Sequence, residues 1–382
     1  MFDNAKAFAK KNYDDVIETL RALCRLPSPS HFENERAEFC KGFLLAHGAK
    51  GVYIDDALNV IFPLGCEGSD EITVLAAHTD TVFPDREPMK MTEDEDRIYC
   101  PGVWDDTTGV AVILYTAVYF LENNIIPPKG IMFVCNSCEE GLGNLKGTKA
   151  LISAYGDRIA RFISFDSIGA SIVNKAVGSC RFEVEVKTNG GHSFSDFGNR
   201  NAIAVLSDMI SKIYAIEVPE IEGTKTTYNV GTIEGGTSVN TIAQNAKMLC
   251  EYRSDDRACL ETMRRSFMDI FTASYDAEIE VRIVGERPCG GDVDGEKQAE
   301  LERVCEKYIT EVFENAPARE SGSTDCNIPL SVGIPSVCIG VSMGQGAHTR
   351  EEWVDKKSIN LGLEMSIKLL AEIAGTENLK AD

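Results

Sequence analysis

Through the first half of the chain, short, mainly apolar runs alternate with longer stretches of helical periodicity, and this alternation predicts an α/β sheet domain. Strands are expected at 71–77, 130–136 and 161–165, each short and rich in branched or aromatic residues. A helix is expected over 5–26, stopping ahead of the Pro27 and Pro29 turn. Residues 109–121 are apolar almost throughout and long enough for a buried helix, although their Val and Ile content leaves a strand open.

From about residue 177 the pattern changes to strand (180–187), helix (202–216), strand (226–232), strand (246–253), helix (256–275) and strand (278–284). That β-α-β-β-α-β order is the split-βαβ, ferredoxin-like sandwich, a unit of about a hundred residues that can fold by itself. Helix and strand signals resume after Pro288 and the Gly290-Gly291-Asp292 turn, with an apolar run at 336–341 and a last helix from about Lys356. The sandwich therefore reads as an insertion at 177–286 into a sheet domain formed by 1–176 and 287–382. No repeat at solenoid periods and no low-complexity tract interrupts the pattern.

Size and charge narrow the functions. With 382 residues, 43% of them hydrophobic, the chain can bury a large core and exceeds one comfortable domain. Sixty acidic against 38 basic residues give −22 at neutral pH, which repels phosphate backbones and anionic lipid and argues against nucleic-acid or membrane partners. The first residues, MFDNAKAFAKKNYDD, break every apolar run with a charge, so no secretory or spanning segment is expected and the mature chain should start near Met1. Thirteen cysteines without C-x-x-C pairs read as reduced core thiols of a cytoplasmic protein.

Only five histidines occur, and three of them, His78, His192 and His348, fall in Gly- or Asp-bearing turns at or near strand candidates. Loops at the carboxyl ends of strands in an open α/β sheet converge on a crevice where ligands bind. Ala77-His78-Thr79-Asp80 offers an imidazole for a metal and a nearby carboxylate to orient it, or plain surface polarity. Asp105 and Asp106, between Trp104 and an apolar run, are two acids that a cation would stabilise, or a helix N-cap. Glu139 and Glu140 follow an apolar strand and stand among glycines; one can bind metal while the other moves protons, or both can be a solvated face. Asp166 closes another apolar strand, and Gly344-Gln345-Gly346-Ala347-His348 supplies a second imidazole in a flexible turn. Five independent nitrogen and carboxylate donors at such positions favour a metal site over coincidence.

The succession H-x-D, Asp-Asp, Glu-Glu-x-x-Gly, Asp, Gly-Gly-His-Ser and a late Gly-x-His resembles the dinuclear zinc exopeptidases related to carboxypeptidase G, tripeptidase T and acetylornithine deacetylase, over nearly the whole chain. The resemblance implies that Asp105 bridges two Zn2+, with His78 and Asp166 completing one site and Glu140 and His348 the other. Mn2+ or Co2+ would suit the same donors. It further implies that Asp80 orients His78 and that Glu139 is the general base. The inserted sandwich would be a lid that also mediates a homodimer, with His192 of Gly190-Gly191-His192-Ser193 reaching an active site, frequently the partner's. Asn240 and Arg253 match positions that contact substrate, an Arg fork suiting a free carboxylate, although Arg253 also reads as a strand-surface charge.

Three departures from the family pattern stand out. Asp106-Thr107-Thr108-Gly109 lacks a common lysine, Trp104 replaces a small residue, and Glu251 stands where Asp is usual. None removes an implied ligand. The expected activity is exopeptidase cleavage of small peptides, of the dipeptidase or tripeptidase type. Hydrolysis of an N-acyl amino acid is the alternative, followed by a non-catalytic metal-binding interaction protein.

Overall fold

The structure, a computed structural model, describes residues 2–376 and divides into two compact units: residues 1–174 with 292–382, and residues 175–291. The first is built on an eight-stranded sheet. Its centre consists of β1 (Ile72–His78), β2 (Ile131–Asn136), β3 (Ile159–Phe165) and β4 (Ser336–Ile339), in the spatial order β2-β1-β3-β4 and all parallel. Antiparallel strands extend it on both sides, Val60–Leu64 beside β2 and Ser171–Ala176 beside β4. Every residue of β1, β2 and β4 is buried, which is why they read as unbroken apolar runs rather than alternating ones.

The ambiguous 109–121 stretch is a helix, Thr108–Glu122, buried along all but its last two residues. A helix apolar all round must lie inside the core, and this one packs against β1, β2 and the closing Lys356–Ile373 helix. Gly362 lets that last helix approach closely: a Cβ there would stand 1.8 Å from the carbonyl oxygen of Val341. The helix expected over 5–26 is instead two, Phe2–Lys11 and Tyr13–Cys24. Asn12 divides them, its side-chain amide donating at 2.9 Å to the Phe8 carbonyl and competing with the helical backbone.

Residues 175–291 form a four-stranded antiparallel sheet in the order Thr226–Gly235, Asn245–Ser254, Gly178–Lys187, Glu278–Arg287. Buried and part-exposed residues alternate along Gly178–Lys187 and Asn245–Ser254, as expected where one face is covered. The helices Ala202–Ile213 and Arg257–Thr272 cover that face, with Phe182, Val184, Leu206, Met209, Met263 and Phe267 in the core. Asn201 and Asp256 cap these helices with side-chain oxygens that accept backbone N–H groups. Among the described residues, no helix is long and apolar enough to cross a membrane.

Candidate metal centre

Parallel pairing of β1, β2 and β3 puts their carboxyl ends side by side, with His78 in register with Asn136. His78 ends β1, the Ser137-Cys138-Glu139-Glu140 turn follows β2, and Asp166 follows β3. Asp105 reaches the same place from a tight turn over Val103–Thr107 ahead of the buried helix. The ligand atoms of His78, Asp105 and Asp166 lie within 4.8 Å of one another, as do those of Asp105, Glu140 and His348. Asp105 belongs to both trios. Its Oδ1 is 3.1 Å from His78 Nε2, and its Oδ2 is 3.1 Å from His348 Nε2, which also stands 3.1 Å from Glu140 Oε1.

The electrostatics of this cluster are those of crowded, buried carboxylates. Burial and the nearby charge of Asp105 push Asp166 up to about 6, while Glu140 rises to about 8 through burial and its neighbours Asp105 and Glu139, against a lowering bond from His348. Asp106, buried beside Asp166 and Asp105, is driven well above the carboxylate range. Asp105 goes the other way: burial opposes its charge, but the bonds to His348 and His78 hold it well below its usual value. His348 rises to about 11 on its bonds to Asp105 and Glu140. Carboxylates crowded this closely repel one another without a cation, and Asp106 Oδ1 is among the buried oxygens with no hydrogen-bond partner among the described residues. Two imidazoles and three carboxylates at such separations are a donor set that fits divalent ions preferring nitrogen and oxygen ligands.

Asp80 does more than its place beside His78 suggests. His78 Nδ1 lies 3.1 Å from the Asp80 backbone carbonyl and 3.5 Å from its carboxylate. The carboxylate itself accepts the N–H groups of Glu139 and Glu140, at 2.9 and 3.0 Å, and the Ser30 hydroxyl at 2.6 Å. Glu33, wholly buried, accepts the next amide back, that of Cys138, at 3.0 Å. Two carboxylates thus hold three consecutive N–H groups and fix the turn that carries Glu139.

Several contributors escape a reading of the sequence. Arg36, wholly buried, donates to the carbonyls of Leu26 and Thr79 at 2.9 and 3.0 Å and to the Thr107 hydroxyl at 3.0 Å, tying together the segments that carry His78 and Asp105. Asp325, in the polar Gly322-Ser323-Thr324-Asp325 loop, accepts from Asn136 at 2.7 Å and from Thr148; burial and the charge of Glu139 push it up to about 6. Glu352 accepts backbone amides of the Asp105 turn and is pushed by burial to about 7. It sits in Arg350-Glu351-Glu352, a run that reads as solvated; the only hint of burial is the Trp353-Val354 pair that follows.

The remaining predicted residues belong to the 175–291 unit. Gly191–His192 pairs with Thr241–Ile242, and the Asn240 carbonyl accepts the Ser193 N–H at 3.0 Å, so His192 and Asn240 are neighbours. The His192 ring is exposed, with Nδ1 accepting the Phe194 and Ser195 amides at 3.3 Å. Arg253 is already engaged: Glu251 accepts from its Nε at 2.7 Å and its Nη2 at 3.1 Å.

A mixed α/β sheet with histidine and carboxylate trios at the carboxyl ends of its parallel strands defines an enzyme of the metallopeptidase and amidohydrolase class. The chain belongs to peptidase family M20/M25/M40, whose family model matches residues 74–372. It is 24% identical over 345 residues to succinyl-diaminopimelate desuccinylase of Corynebacterium glutamicum, covering 89% of this chain and 91% of that protein. A tripeptidase from Staphylococcus aureus shares the fold with a TM-score of 0.78 at 23% identity, over 95% of this chain and 99% of the other. A Bacillus subtilis protein described as a dinuclear metal-binding peptidase shares it with a TM-score of 0.66 at 17% identity, over 96% and 99% of the two chains.

Proposed function

We propose that this protein is a two-zinc exopeptidase acting on small peptides, with His78, Asp105 and Asp166 holding one ion and Asp105, Glu140 and His348 the other. The observation that carries the reading is the pair of trios sharing Asp105, with Glu139 buried beside Glu140. Bound divalent ions would supply Lewis acidity toward a carbonyl and would acidify water from a pKa of about 15.7 to about 7. Glu139, fixed through its amide by Asp80, takes the proton of the attacking water and returns it to the leaving amine. Asp80 and Glu33 keep the turn rigid while the proton moves. Zinc suits the nitrogen and oxygen donors, and manganese or cobalt would serve as well.

The 175–291 unit is assigned the role of lid and dimerisation unit, with His192 and Asn240 meeting the substrate. Phe194, Phe197 and Val239, exposed at 87%, 90% and 102% beside those two residues, support an interacting surface there. Glu251 holds Arg253 through Nε and Nη2, so a substrate carboxylate would have to share the guanidinium with it. Thirteen unpaired, buried thiols support a reducing, cytoplasmic location. Similarity to the desuccinylase favours an N-acyl amino acid as the second substrate class.

Metal analysis, followed by assay of wild type and Glu139→Gln on dipeptides, tripeptides and N-acyl amino acids, tests the reading. About two ions per chain are expected, with turnover on one panel reduced about 10²–10⁴-fold by the substitution. Equal turnover in both proteins removes Glu139 from the mechanism, and inactivity on all panels favours a binding role.

A further inference from the structure

The side chain of Glu352 accepts three backbone N–H groups of one turn. Wholly buried, it takes the N–H of Gly102 on Oε2 at 2.7 Å and those of Trp104 and Asp105 on Oε1 at 2.7 and 2.9 Å. Its own carbonyl accepts the N–H of Cys100 at 3.1 Å, extending the antiparallel pairing of Trp353–Asp355 with Arg97–Tyr99. Where that ladder runs out, the Glu352 carboxylate carries the bonding on into the Asp105 turn. Four residues earlier stands His348, in the left-handed backbone region with φ 66° and a side chain 57% exposed.

Charge makes this choice informative. A neutral amide could accept one or two of these N–H groups without adding a negative charge next to Asp105. A carboxylate accepts all three as charge-assisted bonds, roughly twice as strong as neutral ones, but burdens an already anionic site. The arrangement is favourable overall if cations are to be held there, and if the turn must be rigid before they arrive.

We infer that Glu352 is a positioning residue that assembles the Asp105 turn against the His348 loop in advance, so that Asp105 and His348 already face one another when an ion binds. This rests on the reading of those two residues as metal ligands. Preorganisation of this kind raises affinity by removing the ordering cost from the binding step.

Three measurements test it. In metal-stripped wild type, amide hydrogen exchange across 102–105 is expected to be as slow as in the zinc-loaded protein. In Glu352→Gln and Glu352→Ala, competition against a chromophoric chelator is expected to show at least one zinc or cobalt ion bound about tenfold more weakly. The thermal midpoint of the stripped Glu352→Gln protein should stay close to that of stripped wild type, because lost bonds are offset by relieved repulsion, while the rise on adding zinc shrinks.

Free exchange at 102–105 in stripped wild type, slowed only by zinc, overturns the inference even if neither variant folds. So do wild-type affinities in both variants, or equal falls in the stripped and loaded midpoints, which would mark a merely structural bond. Two ions in wild type with unaffected variants removes this inference alone. A wild type that binds no ion removes the metal reading itself, and this inference with it.

Discussion

His348 Nε2 lies 3.1 Å from Oδ2 of Asp105, a carboxylate whose other oxygen is 3.1 Å from His78 Nε2. One side chain from the turn before the buried helix therefore stands between two imidazoles that come from opposite ends of the sequence. Removing Asp105 and removing either histidine should have different consequences. Asp105→Ala is expected to abolish binding of both ions, whereas His78→Ala and His348→Ala each lose one, leaving about one per chain by mass spectrometry of the folded proteins. Equal losses in all three variants would dissolve the assignment of two sites sharing one residue.

The stripped protein should have an inverted dependence on pH. Glu140 and Asp166 are raised from 4.5 to about 8 and from 3.8 to about 6, so the folded state holds protons that the unfolded chain has released. Stability from these groups is complete below the unfolded values and is lost as pH rises through the folded ones. The raised His348 adds to the same trend toward higher pH, and the depressed Asp105 opposes it only in acid. Thermal midpoints of chelator-treated protein are expected to fall by several degrees between about pH 5 and 8, with zinc-loaded protein lacking that decline because its ligands are deprotonated throughout. A midpoint in the stripped protein that climbs over this range would contradict the described crowding of carboxylates.

Assembly can be probed by mixing subunits. If His192 serves a neighbouring chain, heterodimers of Glu139→Gln and His192→Ala, each inactive alone, are expected to recover part of the wild-type rate through one intact composite site. Absence of rescue in verified heterodimers would confine His192 to its own chain.

Two helical glycines should respond oppositely to alanine. At Gly362 a Cβ would meet the Val341 carbonyl oxygen at 1.8 Å, so Gly362→Ala forces backbone apart and should cost about 1–3 kcal/mol or more. Gly42, in the Asn34–Ala46 helix, has nothing within 4 Å of the added carbon, and Gly42→Ala should gain up to about 1 kcal/mol of helix propensity. Thermal midpoints of the two variants that move in the same direction would refute the packing described for the last helix.

Much of this arrangement is legible in the sequence because it depends on short-range chemistry. Ile72–His78 and Ile131–Asn136 announce themselves as buried parallel strands by their unbroken apolar runs, and the polar residues just past each end mark the crevice. Residue type and position mark the five donors, whereas their division into two trios sharing Asp105 is what the family resemblance implies. What stays hidden depends on partners far along the chain. Nothing near Glu352 foretells that it binds amides some 250 residues earlier, and Arg36 looks like any helix-surface cation until its bonds to Thr79 and Thr107 are seen. The break at Asn12 is a finer matter of one side chain competing with the helical ladder.

The in-register pairing of His78 with Asn136 has a practical consequence for redesign. Donor spacing here is inherited from interstrand hydrogen bonds, and sliding one strand by a residue moves its tip by about 3.3 Å and turns each side chain to the opposite face. Altering which ion is preferred by remodelling the backbone is therefore a coarse instrument, and exchanging Asp for Glu, one methylene at a time, is the finer adjustment the scaffold leaves open.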